Sequence, residues 1–286
     1  MQMSIAPDVH HLDRPGGRIA FSDTGTGPLL LAVPGMGDLR SVYDGLTADI
    51  VARGFRVVAM DVRGHGDSDA TFSEYGDEPT ASDLVALLEL LGEPAVLVGN
   101  SFGGSAAVIA AAERPDLVRG LVLLSPFLRE PASAGRRRLN RALFRLMFAR
   151  PWGVSAWTRY YAGPLHAGVR PADLDRRVAE IGAAMRRPGR LAAFRSLTLQ
   201  LDHRVVEPRI AAVRAPALVI VGALDPDYAD PAAELARMGE RLAARTLLVP
   251  EAAHYAHTQR PDLVLPAVAA FAEELRDAAG WRSAGA

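Results

Sequence analysis

Short runs of apolar residues alternate along this chain with stretches whose apolar positions recur at helical spacing. Six runs, Leu29 to Val33, Phe55 to Met60, Ala95 to Val98, Leu121 to Leu124, Ala217 to Val221 and Thr246 to Val249, have the length and continuous hydrophobicity of buried strands. Thr47 to Arg53, Ala81 to Leu91, Ser101 to Arg114, Pro231 to Ala243 and Asp262 to Ala279 predict helices between and after them. That alternation is the sequence form of an α/β architecture, a mostly parallel central sheet flanked by helices. The opening segment from Val9 to Asp23, broken by Pro15-Gly16-Gly17, predicts an antiparallel hairpin at the sheet edge.

The rhythm stops between residues 127 and 209. No buried strand is predicted there; instead Leu139, Leu143 and Leu146 share one helical face and Arg138, Arg141 and Arg145 another. Phe127, Phe144, Phe148, Trp152, Trp157, Tyr160 and Tyr161 also fall in this stretch. The simplest reading is a helical insertion between two strands of the sheet. There is no internal repeat and no low-complexity tract.

Composition then narrows the chemistry. A chain of 286 residues, 49% hydrophobic and 23% charged, is expected to fold around a full core. All 32 basic residues are arginine, and cysteine is absent. Without lysine there is no Schiff base, no pyridoxal phosphate anchor and no Walker-type phosphate lysine. Without cysteine there is no thiol nucleophile, disulfide framework or thiolate metal site. Covalent chemistry is left to Ser, Thr, Asp, Glu, His and Tyr. A net charge of −1 argues against nucleic acid or an anionic membrane as partner. No secretory signal pattern and no apolar run of about 20 residues is visible, so a cytoplasmic protein acting on a small molecule is expected. The near-neutral total hides an asymmetry: residues 127–209 hold 17 Arg and 6 acidic residues, +11, and the rest holds 15 Arg and 27 acidic residues, −12. A basic insertion resting on an acidic body accounts for this; the alternative is arginines that bind a substrate carboxylate or phosphate.

Gly99-Asn100-Ser101-Phe102-Gly103 satisfies G-x-S-x-G and joins a predicted strand to an alanine-rich helix. A sharp strand-to-helix turn needs small residues beside the serine so that its backbone can adopt a strained conformation. It places the serine Oγ at the C-terminal sheet edge over a helix N-terminus, where N–H groups favour developing negative charge. The competing reading is a structural N-cap serine, which needs no base. A nucleophilic serine needs a histidine to take its proton and a carboxylate to orient that histidine. Of seven histidines, His254 is placed best, after the run Thr246 to Val249 in Pro250-Glu251-Ala252-Ala253-His254, with His257 its competitor. Asp225 follows the run Ala217 to Val221 in Gly222-Ala223-Leu224-Asp225-Pro226, at a strand end where ligands gather in open α/β sheets. Asp227 and Asp230 are the alternatives. His10 and His11 are expected on an exposed edge strand, and His166 and His203 at the surface or in the insertion, not as metal ligands.

At this point the chain resembles the α/β-hydrolase fold superfamily over nearly its whole length. The matching segments, in order, are Pro34-Gly35-Met36-Gly37, Asp61-Val62-Arg63-Gly64-His65-Gly66-Asp67-Ser68, the serine turn, the Asp225 segment, and the His254 segment ending Gln259-Arg260-Pro261. The resemblance implies an α/β-hydrolase core from residues 1–126 and 210–286 and a helical cap from residues 127–209 over the active site. It implies an oxyanion hole from the Met36 and Phe102 backbone N–H groups, a structural or pocket-forming His65, and no cofactor or metal. The implied activity is hydrolysis of a small-to-medium, largely apolar carboxylic ester or lactone by Ser101, His254 and Asp225. Relatives with dehalogenase or epoxide hydrolase chemistry carry aspartate at the serine position, and a hydroxynitrile-lyase variant relies on a cap lysine. Carbon–carbon bond hydrolases, perhydrolases, acyltransferases and a slow-turnover ligand receptor keep the same residues. Two positions depart from the pattern: Pro34 stands where the loop usually has histidine, and Gln259 where relatives often have glutamate. A homodimer through cap or edge-strand surfaces is compatible with this reading.

Overall fold

Strands β1 (Val9–Arg14) and β2 (Gly17–Gly25) form the expected hairpin, and the apolar runs become β3 (Leu29–Val33), β4 (Arg56–Met60), β5 (Ala95–Asn100), β6 (Val118–Leu124), β7 (Ala217–Gly222) and β8 (Arg245–Val249). This is a computed structural model, and it describes residues 8–130 and 134–279. One sheet holds all eight strands in the order β1-β2-β4-β3-β5-β6-β7-β8. From β4 to β8 the pairing is parallel, whereas β2 pairs antiparallel with both β1 and β4. The helices are α1 (Asp44–Ala52), α2 (Asp77–Leu91), α3 (Phe102–Glu113), α4 (Ala134–Met147), α5 (Gly153–Ala162), α6 (Leu174–Arg186), α7 (Arg190–Gln200), α8 (Pro231–Leu242), the short α9 (Ala256–Gln259) and α10 (Pro261–Ala279).

The period-2 pleat sends alternate residues of each buried strand to opposite faces. Leu29, Leu31 and Val33 of β3 join Leu84 and Leu87 of α2 and Val108 of α3 in one core. Leu30 and Ala32 join Ile50 of α1 and Val264 and Val268 of α10 in the other. Both faces are therefore covered, which is why the central strands read as unbroken apolar runs. The run Thr246 to Val249 departs from that expectation. β8 ends the sheet order, so among the described residues its outer edge has no strand neighbour; Thr246 and Leu248 are exposed and only Val249 is buried.

Among the described residues no strand lies between β6 and β7; α4 to α7 fill that interval. Trp157 of α5 is the centre of their aromatic packing, 5.0 Å from the Phe194 ring and 6.1 Å from Phe148. On α4 the leucine stripe is the outward face: Leu139, Leu143 and Leu146 are exposed, and the cavity described below is lined instead by Phe144 and Met147. The charge asymmetry is answered in part by pairs from the insertion to the remainder, Arg129 with Glu234 at 2.9 Å, Arg187 with Asp67 at 3.2 Å and Arg209 with Glu78 at 2.6 Å. His10 and His11 lie exposed on β1, as expected for that edge.

One buried ion pair ties the hairpin and the loop after β4 to α2. Asp83 receives the Arg63 guanidinium at 2.6 Å and 2.8 Å, and Arg14 at 2.9 Å. The Asp83→Ala variant leaves the buried Arg63 without its carboxylate. Loss of one partner of such a pair costs about 3–5 kcal/mol, and we expect urea denaturation to register a destabilisation of that size.

Candidate active site

Ser101 joins β5 to α3 with φ 58° and ψ −129°, a backbone conformation rare for a residue with a side chain. The helix starts one residue later than the pattern predicted, because Ser101 is outside helical geometry, and its side chain makes no capping bond. The capping reading of this serine is thereby removed. Its flanking glycines answer to close backbone approach. A Cβ at Gly103 would lie 2.6 Å from the carbonyl oxygens of Val33 and Pro34, and one at Gly99 would lie 2.6 Å from the Gly103 carbonyl oxygen. Asn100, between Gly99 and the serine, donates from Nδ2 to the Leu124 carbonyl at 3.0 Å and the His254 carbonyl at 3.3 Å, tying the turn to the histidine loop.

His254 follows β8 and donates from Nδ1 to both oxygens of Asp225, at 3.1 Å and 2.9 Å. Both residues are buried. Burial pushes the Asp225 carboxyl up, but the neighbouring imidazole outweighs it and holds the group below its ordinary value. Burial likewise lowers His254, and the Asp225 charge and hydrogen bond, with Asp227 and Asp38 beyond, reverse this and raise it. Asp227 is a further neighbour: its Oδ2 lies 3.5 Å from His254 Nδ1, and its Oδ1 accepts from Tyr160 Oη at 2.8 Å. Asp230 has a different task, accepting the Ala233 N–H at 3.0 Å as the N-cap of α8. Donor atoms of Asp225, Asp227 and His254 lie within 4.8 Å of one another. As a metal site the trio would have to give up the Nδ1–H bond to Asp225.

The loop Pro34 to Gly37 sits against the serine turn, since a Cβ at Gly35 would be 3.1 Å from Ser101 Cβ. Two side chains hold it. The Gly37 N–H donates to His65 Nε2 at 3.1 Å, and the other ring nitrogen of His65 faces the Arg63 carbonyl at 2.9 Å. This fixes the proton on Nδ1, and burial pushes the His65 pKa down, keeping the ring neutral and able to accept at Nε2. Trp157 Nε1 donates to the Gly37 carbonyl at 2.9 Å. Pro34 thus costs the loop no side-chain support; that support comes from His65 and from α5. The turn carrying His65 has its own constraint, because a Cβ at Gly66, φ +49°, would collide with the Asp61 carboxylate.

Gln259 holds the histidine loop by means unavailable to glutamate. Its Oε1 accepts the Ala253 N–H at 2.8 Å, and its Nε2 donates to the Ala167 and Val169 carbonyls at 2.8 Å and 2.9 Å. His257 is buried between Tyr43 and Tyr255 with both ring nitrogens unpaired, and burial lowers its pKa well below the ordinary value. It lies outside the cavity lining. His166 lies in the insertion, one of the two places expected for it, and is buried there; Nδ1 donates to the Tyr161 carbonyl at 2.7 Å and the ring stacks on Tyr255 at 4.7 Å.

Ser101 and His254 open into one cavity of about 330 Å³ whose lining includes Met36 and Phe102. Its other walls are mostly apolar, including Phe127, Phe144, Met147, Phe148, Trp157 and Leu201; among the described residues none that lines it is an arginine. Tyr160, Asp227 and His203 also line it: Asp227 was an alternative to Asp225, Tyr160 belongs to the aromatic set of the insertion, and only His203 had no part in the expected site. A serine hydroxyl, an oriented imidazole and a braced loop in an apolar hollow are the parts needed for acyl transfer.

The sequence profile described as "Alpha/beta hydrolase family" matches residues 30–267. A 2-(acetamidomethylene)succinate hydrolase of Mesorhizobium japonicum is 31% identical, the alignment covering 94% of this chain and 99% of that protein. Among solved structures, a thermophilic esterase from Thermogutta terrifontis superposes with TM-score 0.77 at 24% identity, over 94% of this chain and 99% of that one. The epoxide hydrolase CorEH superposes with TM-score 0.76 at 19% identity, over the same shares. At those identities the two structures speak for the fold alone, whereas the profile and the first relative span nearly the whole chain. The protein is a hydrolase-fold enzyme, and the chain belongs to the alpha/beta hydrolase family.

Proposed function

We propose that the protein is a serine hydrolase that cleaves a small-to-medium, largely apolar carboxylic ester or lactone through an acyl-enzyme. The observation that carries this reading is Ser101 on a strained turn, sharing an apolar cavity with His254 while Asp225 holds the other side of that imidazole. The fold does not choose between ester and epoxide chemistry, since neighbours named for each share it. The serine at the turn supports the ester.

Ser101 Oγ attacks the substrate carbonyl as His254 Nε2 takes its proton, and Asp225 balances the imidazolium that forms. The backbone N–H groups of Met36 and Phe102 receive the oxyanion, each such donor contributing about 3 kcal/mol in comparable sites. His65 and Trp157 keep the Met36 loop in place from either side. His254 returns the proton to the leaving alcohol, and water then repeats the sequence on the acyl-enzyme. Residues 127–209 act as a cap that supplies the apolar walls and excludes water.

Three outcomes test this. Ser101→Ala loses hydrolysis of short p-nitrophenyl esters by three or more orders of magnitude, roughly the loss seen when a triad member is removed, and it no longer reacts with a fluorophosphonate. Retained turnover in this variant overturns the assignment. The raised His254 pKa places the acid limb of kcat/KM above the ordinary histidine value, with activity lost as pH falls through it. Asp225→Asn moves that limb down and lowers kcat by about 10⁴-fold; a pH–rate profile of both proteins reads the shift. His65→Leu removes the acceptor from the Gly37 N–H and lowers kcat about tenfold or more while KM changes less, the mark of a group acting in the transition state. Steady-state kinetics on a variant with native circular dichroism decides it.

A further inference from the structure

The reaction cavity has a larger neighbour. A hollow of about 630 Å³ lies beside it, lined among others by Arg129, Asn140 of α4, Tyr228, and Glu234 and Arg237 of α8. Two residues, Phe127 and Asp227, line both spaces. The Phe127 ring stands at the boundary. Its centroid is 4.9 Å from the His203 ring and 6.1 Å from the His254 ring, both of which line the reaction cavity, and 5.9 Å from the Tyr228 ring, which lines the outer hollow. Asp227 is fixed by polar contacts: its Oδ1 accepts from Tyr160 Oη at 2.8 Å, and its N–H donates to Asp225 Oδ1 at 3.0 Å. The Phe127 side chain has no polar atom and is placed by packing between those rings.

The backbone that carries the ring is anchored independently of it. The Phe127 carbonyl accepts from Ser105 Oγ at 2.6 Å, and the Pro126 carbonyl from Tyr228 Oη at 2.7 Å. Shortening the side chain therefore opens the boundary while these bonds hold the chain after β6 in place. The boundary is on the histidine side of the cavity. Both residues that form it lie against His254, Asp227 with its Oδ2 3.5 Å from Nδ1, whereas Ser101, Met36 and Phe102 line the reaction cavity and not the hollow. The imidazole returns its proton to the leaving alcohol, so the alcohol part of an ester points to this side. An alcohol chain that lengthens away from Ser101 meets the Phe127 ring before it reaches the hollow.

We propose that Phe127 is a specificity-determining residue: its ring closes the reaction cavity on the leaving-alcohol side and limits the length of the alcohol chain accepted, and the outer hollow is space that a longer chain enters once the ring is removed. The side of the scissile bond rests on the ester hydrolase reading; the boundary itself has a binding test that needs no turnover. If the ring only packs against the His203 turn, trimming it changes long and short alcohols alike.

The kinetic test compares two ratios of kcat/KM in the wild type and in Phe127→Ala: octyl acetate over ethyl acetate, which lengthens the alcohol, and ethyl octanoate over ethyl acetate, which lengthens the acyl group. Because each ratio is taken within one protein, a general loss of activity cancels. We expect the alcohol ratio to rise about tenfold in the variant, the gain from burying roughly two further methylenes where the ring stood, and the acyl ratio to change less than about twofold. Phe127→Leu, which fills part of the gap, falls between. An unchanged alcohol ratio, an equal rise in both ratios, or a rise in the acyl ratio alone overturns the proposal. The binding test measures thermal shifts of the Ser101→Ala protein with octyl and ethyl acetate. A difference between the two esters that grows on adding Phe127→Ala supports the boundary even if ester hydrolysis fails, and an unchanged difference refutes it.

Discussion

The geometry of the site depends on how closely the backbone passes around Ser101. The carbonyl oxygens of Val33 and Pro34, at the end of β3, approach Gly103 to a distance that leaves no room for a Cβ, and Gly99 packs equally closely on Gly103 and Gly104. A positive φ at a serine costs about 1–3 kcal/mol and persists only where its surroundings over-determine it. Here the surroundings are the parallel register of β5 between β3 and β6 and the helix that follows. The same approach that strains the serine brings the Pro34–Gly37 loop beside it. One constraint thus positions both the hydroxyl and the backbone donors proposed to act on the same carbonyl.

That loop has no regular partner of its own, so its orientation rests on borrowed contacts. His65 reaches it from the loop after β4 and Trp157 from α5, one accepting from Gly37 N–H and the other donating to Gly37 C=O. The peptide plane on each side of Gly37 is pinned with opposite polarity, which fixes the course of the loop just after Met36. A Cβ at Gly37 would collide with the Trp157 indole. The insertion is therefore coupled to the loop as well as being a wall of the cavity. Gln259 makes the corresponding link on the histidine side, through the Ala167 and Val169 carbonyls.

What was legible in the sequence follows from how local the information is. Strand runs such as Leu29 to Val33 are buried on both faces, so continuous hydrophobicity marks them directly. The run Thr246 to Val249 has the same composition in an edge strand, because strand order is set by tertiary pairing and leaves no local trace. Ser101, Asp225 and His254 were legible because each sits at a strand end, where turn residues limit the choices. Asp227 was weighed against Asp225, and the structure has both beside His254, with Asp225 the nearer. The partners of the Pro34–Gly37 loop were not legible: a contact between Trp157 and Gly37 joins residues 120 positions apart. On α4, leucines at helical spacing mark one face, but only packing decides that the face with Phe144 and Met147 lines the cavity.

The electrostatics of the cavity divide it by height above the sheet. At its floor, His254 stands beside Asp225, Asp227 and the more distant Asp38, an excess of negative charge that favours the imidazolium. Asp38 itself is pushed up to about 6 by burial, against the pull of Arg177, so it carries less than a full charge near neutral pH. Tyr160 donates to Asp227, which shares out the remaining charge and ties α5 to the histidine's surroundings. In such a field a neutral substrate is favoured over an anionic one, and a developing oxyanion is stabilised only where N–H groups are aimed at it. Among the described residues the apolar walls carry no arginine to offset this. Arg177 of the insertion acts on Asp38 beside the reacting centre, whereas Arg129, Arg187 and Arg209, paired with Glu234, Asp67 and Glu78, hold the insertion to the body.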